Sequence, residues 1–104
     1  MDSLAAQLLA LYRNTTPVSD KLRDRLHDGL VARGYSVAAS ADTPEAFGSW
    51  YVDYLRSDRQ LRLIWDGRDQ WFVLQGGTPW SDLAIKRPDE LAGAGLDDFL
   101  AHSG

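Results

Sequence analysis

The segment from residue 50 to residue 75 constrains the fold of this chain more than any other. Its sequence, WYVDYLRSDRQLRLIWDGRDQWFVLQ, contains three stretches of alternating apolar and polar residues, separated by two short polar turns. Alternation with a period of two is typical of strands buried on one face, and Asp66-Gly67 is a common hairpin turn. The segment therefore predicts three antiparallel strands arranged as a meander.

The turns also predict which side chains share a face of the sheet. Two-residue turns at Asp58-Arg59 and Asp66-Gly67 pair odd positions of one strand with even positions of the next. Helices are expected to cover one face, which is almost wholly apolar. Its members are Trp50, Val52, Tyr54, Leu61, Leu63, Trp65, Phe72 and Leu74. The second face is mixed, and its members are Tyr51, Asp53, Leu55, Arg62, Ile64, Asp69, Trp71 and Val73. A three-residue turn at Asp66 would instead exchange the faces of Trp71 and Phe72.

Helical spacing of apolar residues precedes this segment twice. The first pattern predicts a helix over residues 3–13, and the second predicts a helix that begins at Ser19 and ends at Gly34. Residues 35–39 are compatible with a short extra strand, and residues 40–48 with a loop.

The chain after the meander is predicted to be a turn and then a short helix. Ser81 is placed to cap a turn through Leu83. Pro88 is placed to begin a helix that Gly93 and Gly95 make weak or split. The sequence thus predicts a single α+β domain over residues 1–104. In it, two N-terminal helices pack on a three- to four-stranded antiparallel meander, with a short C-terminal helix.

Composition and charge narrow the possible functions. The chain has 104 residues and no cysteine, which removes disulfides, thiolate metal sites and cysteine nucleophiles. A net charge of -4 argues against nonspecific binding to nucleic acid or anionic membranes and favours a basic partner. No segment approaches a membrane span, and the first residues do not have the pattern of a signal peptide. We expect a soluble cytoplasmic protein that binds neither nucleic acid nor membranes.

No residue pattern indicates catalysis or a cofactor. His27 and His102 have no second histidine at the spacing of a metal site. Paired carboxylates for acid-base chemistry could come from Asp53, Asp58, Asp66 and Asp69. The aspartates that flank Gly67 are explained more simply as turn formers. Residues 76–78 lack the lysine of a phosphate-binding loop. The sequence predicts a non-enzymatic protein without a cofactor or a metal.

The second face of the meander allows two interpretations. A further strand, the C-terminal segment or a neighbouring subunit could cover it, which would make its aromatic residues secondary core. Alternatively it is a docking surface, because aromatic and arginine side chains dominate protein interfaces. In that interpretation Tyr51, Asp53, Arg62 and Trp71 contact the partner, and Asp66 and Asp69 lie at the rim.

The short acidic chain and its motif, WYVDY followed by LRLIWDGRDQWFVLQ, resemble the immunity proteins of bacterial polymorphic toxin systems. The resemblance covers about residues 48–80. It implies a protein that binds a cognate toxin, often a nuclease with a basic cleft, and blocks it. Two alternatives stay open. One is a small-molecule-binding or regulatory domain with a pocket lined by Trp50, Tyr54 and Trp65. The other is a homodimer or higher homo-oligomer that uses the second face as its contact.

Overall fold

The protein folds as an antiparallel sheet with helices at both ends of the described chain. The computed structural model describes residues 16–43, 45–77 and 79–104. Helix α1 spans Thr16–Ala32, and the strands are β1 (Ser36–Thr43), β2 (Ser49–Arg56), β3 (Arg59–Asp66), β4 (Trp71–Gly76) and β5 (Ser81–Lys86). A 3-10 helix at Pro88–Leu91 and helix α2 at Ala94–Ala101 follow. The strand order is β1-β2-β3-β4-β5, and each neighbouring pair is antiparallel.

The predicted arrangement of elements is wrong in two respects. The sheet has five strands and not three or four, and within the described residues one helix precedes it. The other predicted N-terminal helix, over residues 3–13, lies outside the described residues. β1 runs on through residues 40–43, which were predicted to be a loop, and β5 replaces the turn predicted at Ser81–Leu83. Both are edge strands, and β1 is rich in alanine and serine, so apolar alternation does not mark it.

The division of the meander into two faces is confirmed, although its turns differ from those predicted. Arg56 pairs with Arg59, so the first turn is Ser57-Asp58, one residue earlier than predicted. Trp65 pairs with Phe72, not with Arg68, because the second turn is longer than predicted. Both changes shift the cross-strand partners by an even number of residues. An even shift leaves every strand side chain on its predicted face. Asp69, predicted for the second face, lies in the longer turn and not on the sheet.

The core lies between the helices and the predicted apolar face. All eight predicted members of that face are buried, with exposures from 0% to 5%. The ring of Phe72 packs between those of Trp65 and Trp50, at centroid distances of 4.7 and 5.9 Å. The helical segments contribute Leu22, Leu26, Leu30, Leu91, Phe99 and Leu100 to the same cluster. Aromatic and leucine burial on this scale is the main source of stability in a domain without disulfides.

The end of α1 follows the prediction from its glycine. Gly34 has φ +93°, and the N–H of Tyr35 donates to the carbonyl of Leu30 at 3.1 Å, which is a Schellman-type helix end. The Tyr35 hydroxyl then donates to the carbonyl of Ser103 at 2.7 Å. This bond ties the end of α1 to the C-terminal segment.

The C-terminal helix is split, as the two glycines predict. Pro88–Leu91 forms the 3-10 turn, and α2 begins at Ala94, after Gly93 with φ +57°. Among the described residues no helix has the length and apolar character needed to cross a membrane.

Candidate functional site

The second face of the sheet is the candidate site, because the described helices pack on the other face. We call it the open face and define it by two rows of side chains that cross the four strands β2 to β5. The polar row is Asp53, Arg62, Gln75 and Asp82, and the apolar row is Tyr51, Ile64, Val73 and Ile85. In β2, β3 and β4 the rows follow from alternation, which places every second residue on the same side. In β5 a bulge leaves Leu83 unpaired, and this irregularity brings Asp82 and Ile85 to the same side.

The polar row is held together by side-chain hydrogen bonds. The Nε and Nη2 atoms of Arg62 donate to the two carboxylate oxygens of Asp53 at 2.7 and 3.0 Å. At the other end of the row, Nε2 of Gln75 donates to Oδ1 of Asp82 at 2.8 Å. The Arg62 and Asp53 side chains are 26% and 18% exposed, so this two-point ion pair is partly shielded from water.

Two aromatic rings enclose the guanidinium of Arg62. Its central carbon lies 4.1 Å from the ring centroid of Tyr51 and 4.6 Å from that of Trp80. The hydrogen bond to Asp53 raises the pKa of Arg62 above its ordinary value, against the opposing effect of burial. The group is therefore a fixed cation whose plane and direction are set by three neighbours. We call Tyr51, Asp53, Arg62 and Trp80 the arginine clamp.

The residues predicted for the site do not all meet. Tyr51, Asp53 and Arg62 come together in the arginine clamp. Trp71 is half-buried opposite Asp66, beyond the apolar row and away from Arg62. The Asp66 carboxylate accepts the N–H groups of Arg68 and Asp69 at 3.0 and 3.1 Å, so it serves the turn. Asp69 is exposed in the same turn, and these two aspartates mark the end of the open face.

Sequence reasoning missed Trp80 and the partners of the polar row on β4 and β5. Trp80 follows the breaker Gly76-Gly77-Thr78-Pro79, so no alternation pattern includes it. Its role depends on the β4–β5 connection folding back over β3, which is a long-range contact. A strand prediction for residues 81–86 would have placed Asp82 beside Gln75, because a tight antiparallel connection joins them.

A small crevice lies beside the arginine clamp. It has a volume of about 150 Å³ and is lined by Ala38, Asp53, Tyr54, Leu55, Gln60 and Trp80. Ala38 is the extra residue of a β-bulge, since Val37 pairs with Tyr54 and Ala39 with Asp53. The space suits one inserted side chain and not a typical drug-sized ligand.

The pocket predicted between helices and sheet does not form around its three predicted residues; a cavity of about 170 Å³ between α1 and strands β1 and β2 is lined by Tyr54 but by neither tryptophan. Trp50, Tyr54 and Trp65 are core residues with exposures of 5%, 1% and 4%. A groove of about 520 Å³ lies elsewhere, between α1 and the 3-10 helix. Its polar lining consists of Lys21, Asp24 and Arg25, which are all exposed side chains. Exposed side chains orient a ligand poorly, because a binding site for a small molecule usually fixes its ligand with a few buried polar atoms.

One histidine contacts a buried tyrosine under α1. Nδ1 of His27 lies 2.8 Å from the hydroxyl of Tyr54. Burial raises the pKa of Tyr54 to about 12, with a further upward effect of Asp28 and a downward effect of Arg23. Tyr54 is therefore a neutral hydroxyl at physiological pH, and its contact with His27 joins α1 to β2.

Comparison with protein-family models, curated proteins and solved structures finds no match for this chain. Within residues 16–43, 45–77 and 79–104, no three histidine or acidic side chains are grouped so that they could hold a metal ion.

Proposed function

We propose that this chain is a non-enzymatic protein-binding module that docks its partner on the open face. In this proposal it acts as an immunity-type inhibitor of a cognate bacterial toxin. One observation carries it: the arginine clamp holds a partly exposed guanidinium between two aromatic rings on the face that the described helices leave uncovered.

The arginine clamp suits binding because it is already ordered. A free arginine loses considerable side-chain entropy when a partner fixes it, whereas the clamp fixes Arg62 before any partner arrives. Arginine, tyrosine and tryptophan are also the residues that most often contribute large shares of binding energy at protein interfaces. The neighbouring Ile85 is 43% exposed and adds apolar area to the same surface.

The charge of the molecule favours a basic partner. The net charge is -4, and on the open face the carboxylates of Asp53 and Asp82 outnumber the single cation of Arg62. Opposite charge on a partner accelerates encounter and rejects acidic competitors. A toxin that cleaves nucleic acid has a basic cleft and would be a partner of this charge.

The proposal predicts a toxin reading frame immediately upstream, and it is tested by co-expressing this chain with that toxin. The wild-type chain should restore growth, and the Trp80→Ala variant should lose protection because one wall of the arginine clamp is gone. Val31→Ala is the matched control, since Val31 is 47% exposed on α1 and away from the open face. It should protect fully.

Soluble protein levels are measured alongside growth to separate lost binding from lost folding. Equal levels of the two variants with protection lost only for Trp80→Ala would support the proposal. A wild-type chain that neither protects the cells nor binds the purified toxin would refute it.

A further inference from the structure

The two edges of the sheet are protected very differently. β5 carries Asp82 and Lys86, lies between Pro79 and Pro88, and contacts α2. Charged residues, prolines and covering helices are the devices by which edge strands avoid pairing with other chains. β1 is longer, with eight residues, and its first six, SVAASA, contain neither a charge nor a proline.

Among the described residues, little covers the first part of β1 on either face. Residues 36–40 are all exposed, and the apolar side chain of Val37 is 51% exposed although it lies on the helix-covered side. Within the described residues no strand pairs with the outer edge of β1. In this part of the chain, the main-chain N–H and C=O groups on that edge are therefore left for another strand.

We infer that two copies of this chain pair through the outer edges of β1, antiparallel about a twofold axis at Ala41. The bulge at Ala38 disrupts the first half of the strand, which leaves Ala39–Thr43 as the regular part. A twofold axis at Ala41 joins these five residues to their copies. It places Ala39 opposite Thr43 and Ser40 opposite Asp42.

This register is complementary to itself. Asp42 faces Ser40 of the second copy, so its carboxylate can accept the serine hydroxyl, and no like charges are directly opposed. Asp42 is also 3.5 Å from Arg23, which offsets its charge. At the centre the two alanines meet without obstructing the approach of the backbones. A lysine or glutamate there would place like charges face to face.

A second copy fits this edge better than an unrelated strand. About a twofold axis, one self-complementary sequence provides both sides of the contact. The contact is short, so the dimer is weak and depends on concentration. Pairing would join the two sheets and place both open faces on the same side. The inference does not depend on the proposed toxin, since it requires only this chain.

Sedimentation of the purified full chain from micromolar to near-millimolar concentration tests the inference. The weight-average mass of the wild type should rise from 11.6 kDa toward twice that value. Ala41→Lys and Ala41→Glu should each weaken association at least tenfold. An equal mixture of the two variants should associate again, because lysine then faces glutamate at the twofold axis.

Ile85→Lys is the matched control, because it adds the same charge at an exposed position on the same face but on the opposite edge. It should dimerise like the wild type. A wild type that stays at 11.6 kDa at every concentration would overturn the inference. So would an Ile85→Lys variant that is weakened as much as Ala41→Lys, or a mixture that associates no better than its components.

Discussion

At the scale of single residues, buried polar groups join the layers of this protein. The hydroxyl of Tyr35 binds the Ser103 carbonyl, and that of Tyr54 contacts His27, so each tyrosine links two segments distant in sequence. Both tyrosines are almost completely buried, at 2% and 1% exposure. A buried hydroxyl without a partner would cost about 1–3 kcal/mol, which is why both have one.

Burial of Tyr54 predicts a loss of stability at alkaline pH. The pKa of Tyr54 is about 12 in the folded protein and 10.0 ordinarily. The unfolded chain therefore releases this proton first, and the stabilising contribution, complete below pH 10, is lost as pH rises toward 12. A difference of about two pKa units corresponds to about 3 kcal/mol.

Urea unfolding at pH values below and within this window measures the effect. Tyr54→Phe should be less stable than the wild type at neutral pH, because His27 loses its contact. Its free energy of unfolding should then fall less than that of the wild type as the pH rises. An alkaline loss of the same size in the variant and the wild type would show that another group causes it.

At the scale of elements, two neighbouring turns brace one end of the sheet. The β1–β2 turn holds Phe47 at φ +60°, an unfavourable conformation for a bulky residue. Its carbonyl lies against Gly67 of the β3–β4 turn, where a side chain would have no room. The N–H of Gly67 donates to Oγ of Ser49 at 2.9 Å. The contacts between the turns thus hold a conformation that neither turn would favour alone.

Gly67→Ala should destabilise the protein by about 1–3 kcal/mol, because the added methyl group overlaps the Phe47 carbonyl oxygen and the turns must separate. Asp69→Ala is the control in the same turn. Its side chain is exposed, so we expect a change within about 0.5 kcal/mol. Thermal and urea unfolding measure both variants. Equal effects of the two substitutions would mean that the turns are not tightly packed.

The elements also show where sequence reasoning succeeds. Apolar alternation identified β2, β3 and β4 and the correct face of every core residue, because the core imposes that pattern. The length of the turns was not predicted, since the Asp66 side chain stabilises a longer turn than Asp66-Gly67 alone suggests. β1 was predicted only in part. Main-chain hydrogen bonds pair it with β2, and its small side chains, such as Ala39 and Ser40, show no apolar alternation.

At the scale of the whole molecule, one side of the sheet serves stability, and the described helices leave the other side uncovered. The α+β architecture places the helices on the apolar face and leaves the arginine clamp on the other. The alternation of the strands and the predicted turns assigned Tyr51, Asp53 and Arg62 to that face. It could not assign Trp80, which reaches Arg62 only because the β4–β5 connection folds over the sheet.

The most direct test of the central claim is the affinity of the proposed partner toxin for Arg62 variants, measured by titration calorimetry. Arg62→Lys keeps the charge but loses the two-point bond to Asp53 and the flat stacking between rings, so we predict at least tenfold weaker binding. Val31→Ala should bind like the wild type, and circular dichroism should show both variants folded. Undiminished affinity of a folded Arg62→Lys variant would contradict the account.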